Sequence, residues 1–454
     1  IQIPEAFAKK LPELESKLNE ALESGDIFAQ QSAQELLPLV QQAKLLAKQY
    51  DAVIANPPYM GTKGMNATLK DFAKNNFPDS KSDLFAMFME HSFNLLKKNG
   101  LNAQINMQSW MFIANFENLR NKIINNHSII TMAHLGSRAF SEISGDIVQT
   151  TAFVLGNNKF HNFKSSFFNL TEGGHDIKHA NFLKKLNYYQ MDQDNFLKIP
   201  YNPISYWIGK EGIACFDENR VSNFSVSKAG IVTGDDEKFI KVWHEISFNK
   251  IKLDEKIFDI KLNKYVPINK GGESRKYFGN ILNVINVSDL WDNSKTNKSV
   301  RRGDIDYYFK KGITWSYVGG TETTFRMSDH ALFATASPAI FLLENNRNDY
   351  FISFLNSKVS LYFLKIFNPT INVFSRDIQQ LPLVFYKIET VVANAKRILE
   401  ISKIDWNAYE RSWDFKRVSL LANEYTKTQI EQNYLVLREV WKNQTFEVQS
   451  LEQE

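Results

Sequence analysis

The run Ala52-Val53-Ile54-Ala55 ends on Asn56-Pro57-Pro58-Tyr59, and the two consecutive prolines restrict the chain more than any other string in it. Proline holds its own φ at about −65° and lacks a backbone donor. It also pushes the residue before it toward extended geometry. Four apolar residues bounded in this way read as a short strand buried on both faces, with the proline turn at its carboxyl end.

Beyond the turn, helical and extended patterns alternate. Residues 83–98 read as a helix, with Asp83 near its N-terminus and Gly100 just past its end. Residues 103–107, 129–135 and 148–155 read as strands, and 115–126 as a helix. That alternation predicts a parallel, doubly wound sheet. Ahead of it, Leu11, Leu14, Leu18 and Leu22 sit at helical spacing, Ser24-Gly25-Asp26 breaks the pattern, and 27–49 reads as a second helix. Past about residue 160 come short strands, aromatics and turns, punctuated by Gly271-Gly272 and Gly319-Gly320. From 389 the chain reads as helical again, over 389–401 and 416–441. The expected organisation is therefore a helical insertion (1–50), an α/β unit (51–160), a mixed α+β region (161–388) and a helical C-terminal region (389–454).

A length of 454 residues predicts two or three domains. With 43% apolar and 23% charged residues, wholesale disorder and fibrous folds are excluded. The single Cys215 rules out an internal disulfide framework and fits a reducing, cytoplasmic setting. No run of eighteen apolar residues exists, so no membrane partner is expected. The net charge of +4 neither requires nor forbids nucleic acid. His91, His127, His134, His244 and His330 lack metal-ligand spacing, so no metal is expected and these histidines read as structural or surface groups. The acidic–lysine clusters Asp235-Asp236-Glu237-Lys238 and Asp254-Glu255-Lys256 read as solvated charge rather than a nuclease.

The residue types of Asn56-Pro57-Pro58-Tyr59 suit methylation of an exocyclic amine. An adenine amino nitrogen is a poor nucleophile because its lone pair is delocalised into the ring. Two acceptors aimed at its hydrogens, the Asn56 amide oxygen and the Pro57 carbonyl, would localise that pair. Pro58 helps to fix where the carbonyl points, and Tyr59 offers a flat face for a base swung out of the helix. For Asn-Pro alone, a strand followed by a plain turn is the simpler reading. The strand before and the tyrosine after favour the chemical one.

With NPPYMGTKGMN (56–66), KSDLFAMFMEHSFNLLKKNG (81–100), HLGSRAFSEISGDIVQTTAFVL (134–155), KGGESRKYFGN (270–280), GITWS (312–316), NPTINVFSRDIQQLPL (368–383) and DWNAYERSWDF (405–415), the chain resembles the PglX-type DNA adenine N6-methyltransferases of BREX phage-defence systems. These are similar to the methyltransferase parts of single-chain type II restriction enzymes. The resemblance implies a partial Rossmann-like methyltransferase domain, a mixed α+β target-recognition domain and a C-terminal helical segment. It implies S-adenosylmethionine as cofactor, and double-stranded DNA and other defence-system proteins as partners. It places Phe140 where an aromatic would sandwich the flipped base against Tyr59. The loop from Met60 to Pro78, with Lys63, reads as a mobile basic lid.

In such enzymes a glycine-rich turn and further strands that hold the cofactor precede the Asn-Pro-Pro-Tyr strand. The fifty residues ahead of it here read as helices, so Asn56 is the one cofactor-side residue expected within this chain. The rest is expected upstream, and the chain by itself is expected to be inactive. For DNA, the expected contacts are Lys63, Lys270, Arg275, Lys276, Arg301, Arg302, Lys310, Trp315 and Arg326, basic groups for phosphates interleaved with aromatics. The alternative from another class is a non-catalytic DNA-binding or specificity module that needs a partner. Methylation of RNA or of a protein glutamine is a third, weaker reading.

Overall fold

A computed structural model describes residues 3–140, 148–252, 264–318, 323–367, 372–422 and 429–454. Asp254-Glu255-Lys256 and Gly319-Gly320 lie outside the described residues. The chain divides after Trp207 into two compact units.

The first unit opens with α1 (Leu11–Leu22) and α2 (Ile27–Ala47), which pack as a hairpin. Asp26 starts the second helix by accepting from the Phe28 and Ala29 N–H groups at 2.9 and 3.3 Å. A six-stranded sheet comes next, built from β1 (Tyr50–Ala55), β2 (Leu96–Met107), β3 (Ser128–Gly136), β4 (Thr150–Gly156), β5 (Lys164–Asn169) and β6 (Tyr188–Asp192) in the order β1-β2-β4-β3-β5-β6. The sheet is mixed, which corrects the expectation of a parallel one. β4 enters between β2 and β3 and runs antiparallel to both, and β6 is antiparallel to β5. Apolar patterning carries burial but not strand direction. The sheet also takes in β5 and β6, beyond residue 160.

The helix predicted over 83–98 is α4 (Leu84–Leu95), which comes after α3 (Ala67–Asn76); α5 is Glu117–Asn126. Leu96 already belongs to β2, whose pairing shifts register between Tyr50↔Leu96 and Ala52↔Leu101. Asn99, at φ 64°, lies in that irregularity, and Gly100 passes so close that a Cβ there would meet the Asp51 carbonyl oxygen at 3.0 Å. Gly100 is thus a bulge residue rather than a helix stop. The core joins Phe85 and Met89 of α4 to Trp110, Phe116, Met132 and Phe153.

In the second unit, β7 (Ser225–Lys228), β11 (Gly312–Trp315), β12 (Phe325–Ser328) and β14 (Ala339–Leu342) form one sheet. A second joins β8 (Ile240–Val242), β9 (Tyr265–Asn269), β10 (Asn283–Asn286) and β13 (Leu332–Phe333). Two long helices lie further along, α6 (Ile388–Asn407) and α7 (Ile430–Gln453). The latter begins well after residue 416, where the sequence pattern places it.

Candidate functional site

β1, β2 and β3 run in one direction and β4 in the other. The carboxyl ends of the first three and the amino end of β4 therefore share one edge of the sheet, where open α/β sheets bind ligands. Asn56-Pro57-Pro58-Tyr59 extends from β1 at this edge, and Phe140 lies four residues past β3 and is half-buried.

β1 itself is not buried on both faces. It is the outermost strand among the described residues, and Ile54 is 82% exposed. Pro57 is buried, whereas Asn56, Pro58 and Tyr59 are exposed.

The turn is held from behind. Asp83 Oδ1 accepts from the Met60 N–H at 3.0 Å and from the Phe85 N–H at 3.4 Å, and the Leu84 N–H donates to the Met60 carbonyl at 3.1 Å. Tyr59 meets Phe85 at 85° with ring centroids 6.1 Å apart. Burial, with the Asp83 carboxylate adding, raises the Tyr59 hydroxyl pKa, so the phenol stays neutral. Sequence pattern marks Asp83 as a helix start but carries no sign of its grip on Met60, 23 residues away. The segment after the turn is no free lid: α3 grows out of it, capped by Asn66 and anchored by Met65 and Ala73 against Met87, with Lys63 exposed ahead of it.

A polar network at the same edge is invisible in the sequence pattern, from which His134 reads as a structural or surface residue. The Tyr206 hydroxyl lies 3.0 Å from His134 Nδ1, and His134 Nε2 lies 2.7 Å from Gln108 Oε1. Gln108 Nε2 donates to Gln149 Oε1 at 2.6 Å, and the Gln108 N–H to the Gln149 carbonyl at 2.9 Å. Burial, with the Lys178 charge adding, pushes His134 down to about 4, so its ring is neutral.

In the second unit the predicted basic residues separate into three groups. Arg301 is exposed, Arg302 lies 5.1 Å over the Trp291 ring, and Lys310 lies 4.7 Å over Tyr307. Arg301 and Arg302 line a cleft of about 1110 Å³ with Lys228, Tyr317, Phe374 and Arg376. Lys270, Arg275 and Lys276 are instead paired with Asp236, Asp405 and Glu452. Trp315 and Arg326 are 0% and 1% exposed, on two strands whose residues are all buried. These two, expected at a DNA surface, are interior residues; neither basic nor aromatic character states whether a strand is covered on both faces.

Comparison with known proteins gives the class first. Residues 4–140, which include the hairpin, β1, the proline turn and β2, match the family model described as Eco57I restriction-modification methylase. Over 428 residues, 93% of its length, the chain is 41% identical to the adenine-specific methyltransferase BrxX of Escherichia coli O9:H4 (strain HS). It is 35% identical over 431 residues, 90% of its length, to the adenine-specific methyltransferase PglX of Lacticaseibacillus casei (strain Zhang). The resemblance to PglX-type adenine methyltransferases thus holds along most of the chain. The chain spans about a third of these relatives, 35% and 36% of their lengths. Among solved structures, the Type IIL restriction-modification enzyme MmeI in complex with DNA aligns at a TM-score of 0.52 and 11% identity, over 88% of this chain and 54% of that one, a likeness of fold. No helix among the described residues is long and apolar enough to cross a membrane.

Proposed function

We propose that this chain is the base-presenting and DNA-reading part of an S-adenosylmethionine-dependent DNA adenine N6-methyltransferase of phage defence or restriction-modification. The observation that carries the reading is the Asn56–Tyr59 turn, held at the carboxyl edge by Asp83 and Phe85. Asn56 Oδ1 and the Pro57 carbonyl accept the two amine hydrogens of a flipped adenine, and Tyr59, with Phe140 opposite, stacks on the ring. The accepted hydrogens localise on nitrogen the lone pair otherwise delocalised into the ring, and positioning supplies most of the rate. The cleft at Arg301 and Arg302, and the exposed Lys310 beside Tyr307, supply phosphate contacts to double-stranded DNA, with other proteins of the defence system as further partners.

S-adenosylmethionine supplies the methyl group when bound, but the strand ends beside the Asn56–Tyr59 turn do not build its cradle. Pro57 and Pro58 carry no N–H, β2 runs into Gln108-Ser109-Trp110, and β3 into Ser137-Arg138-Ala139. None of these three is a glycine-rich turn opening a helix, whereas β5, parallel to β3, runs through Gly173-Gly174 into the helix His175–Leu183. The chain's own residues therefore fit the base, and this accords with a chain that binds DNA but takes up no methyl group unaided.

The test is Asn56→Ala in the full-length protein. Methylation of duplex DNA should fall by about 10²–10³-fold while DNA binding persists. A wild-type methylation rate would overturn the reading.

A further inference from the structure

The network at the carboxyl edge has a direction, and that direction leaves one donor pointing outward. The Tyr206 hydroxyl is buried, with His134 its polar partner among the described residues, so it satisfies its O–H by donating to His134 Nδ1. The neutral ring then carries its proton on Nε2 and donates to Gln108 Oε1. That orients the Gln108 amide so that Nε2 donates to Gln149 Oε1. With its oxygen occupied, Gln149 turns its NH₂ group away from the network, where it has no partner among the described residues and the residue is exposed. Phe167 stacks on Tyr206 at 4.8 Å, and Trp207 lies against His134, so the buried end of the series is packed in place.

Gln149 directly precedes Thr150, which pairs with Met107 on one side and Gly136 on the other. It therefore shares the edge with the Asn56–Tyr59 turn. The two acceptors proposed for the amine recognise adenine only as an amine. They do not distinguish it from the amino group of another base. Adenine carries a ring nitrogen acceptor on each side of its amine, N1 and N7; cytosine matches the first with its N3 but has a C–H on the other side, so a fixed donor reaching N7 would separate the two bases.

We infer that Gln149 is a specificity-determining residue, whose amide NH₂ donates to N7 of the adenine, and that Gln108, His134 and Tyr206 are positioning residues that aim it. The inference rests on the proposed adenine chemistry of the Asn56–Tyr59 turn.

The test couples protein and base. Single-turnover methylation by the full-length protein is measured on duplexes carrying adenine, 1-deazaadenine or 7-deazaadenine at the target, with wild type, Gln149→Ala and Tyr206→Phe. The 7-deaza substitution should slow wild type about tenfold, the scale of one hydrogen bond. Gln149→Ala should be slowed about as much on adenine, with little further loss on that deaza base. Tyr206→Phe should shrink the deaza penalty, which the loss of stability expected from leaving His134 Nδ1 unpaired would not do by itself. An undiminished deaza penalty in Gln149→Ala overturns the inference. So does coupling to a methylphosphonate beside the target instead, which would make Gln149 a phosphate contact. If wild type fails to methylate adenine at all, the functional reading fails instead, and the two failures are distinct.

Discussion

Asp83 accepts the Met60 N–H at 3.0 Å through the same carboxylate oxygen that caps the helix beginning at Leu84. One side chain thus fixes the end of the proline turn to a buried helix. Asp83→Ala should cost about 1 kcal/mol of stability, the usual worth of a cap, and lower single-turnover methylation by the full-length protein about 10²-fold through displacement of Tyr59. Asp83→Asn keeps an accepting oxygen and should recover most of both. Equal losses in the two variants would show that the negative charge, rather than the accepted hydrogen bonds, matters.

His134 is held neutral, at about 4, by burial and by the charge on Lys178. In the unfolded chain it titrates at about 6.5. Between those values the unfolded state binds the proton and the folded state does not, so stability is full above about pH 6.5 and falls as pH drops toward 4. The loss contributed by this group is about 3 kcal/mol. Urea unfolding of the wild type from pH 7 to pH 4 should show the decline, and His134→Gln should flatten it by that amount. An unchanged slope would assign the decline to other groups.

The strand ending at Asn56 is legible in the sequence because two prolines leave the backbone few options, and the helix after Asp83 because a cap and an apolar face coincide. The antiparallel entry of β4 is not legible, since the pairing of a strand is decided by neighbours far along the chain. The same holds for the network at the site: its three side-chain bonds join residues 26, 41 and 72 positions apart. The expected surface positions of Trp315 and Arg326 fail for a different reason. Residue type alone does not tell a strand covered on both faces from one at the surface, and a stretch rich in Lys, Arg and aromatics supplies both the outer surface and the core of the second unit.

Arg301 and Arg275 are both basic residues of the expected DNA-binding stretch, but they have different surroundings. Arg301 is exposed at the cleft, whereas Arg275 pairs with Asp405 at 2.5 Å and lies 5.0 Å over the Trp406 ring. Gly279, at φ 123°, makes room for that stack: a Cβ there would sit 2.7 Å from Arg275 Nε and from Trp406 Cε3. Arg301→Ala should weaken DNA binding across sequences and reduce the log–log salt slope by about 1. Arg275→Ala should leave the slope unchanged and lower stability by about 1–2 kcal/mol. Fluorescence anisotropy over a salt series, with thermal melting of each variant, checks both. A reduced slope for Arg275→Ala would return that residue to the DNA surface.

Arg326 presents the opposite case to Arg120, although both are almost fully buried. Arg120 donates to the carbonyls of Trp110, Ile113, Tyr201 and Asn202. Arg326 reaches only Ser316 Oγ, at 3.4 Å, and its Nε and Nη1 have no partner among the described residues. Burial, with Arg275 adding, lowers its pKa to about 10, so the folded state binds the proton less tightly than the unfolded chain does. The cost is full below about pH 10 and is relieved only as pH rises above it. Arg326→Met, which keeps the length and removes the charge, should therefore be neutral or stabilise the protein by about 1–3 kcal/mol, read as the urea midpoint at pH 7.5. A loss of comparable size would mean that the guanidinium holds a group that the folded protein needs. Restoration of the wild-type advantage by added phosphate would identify that group as an anion.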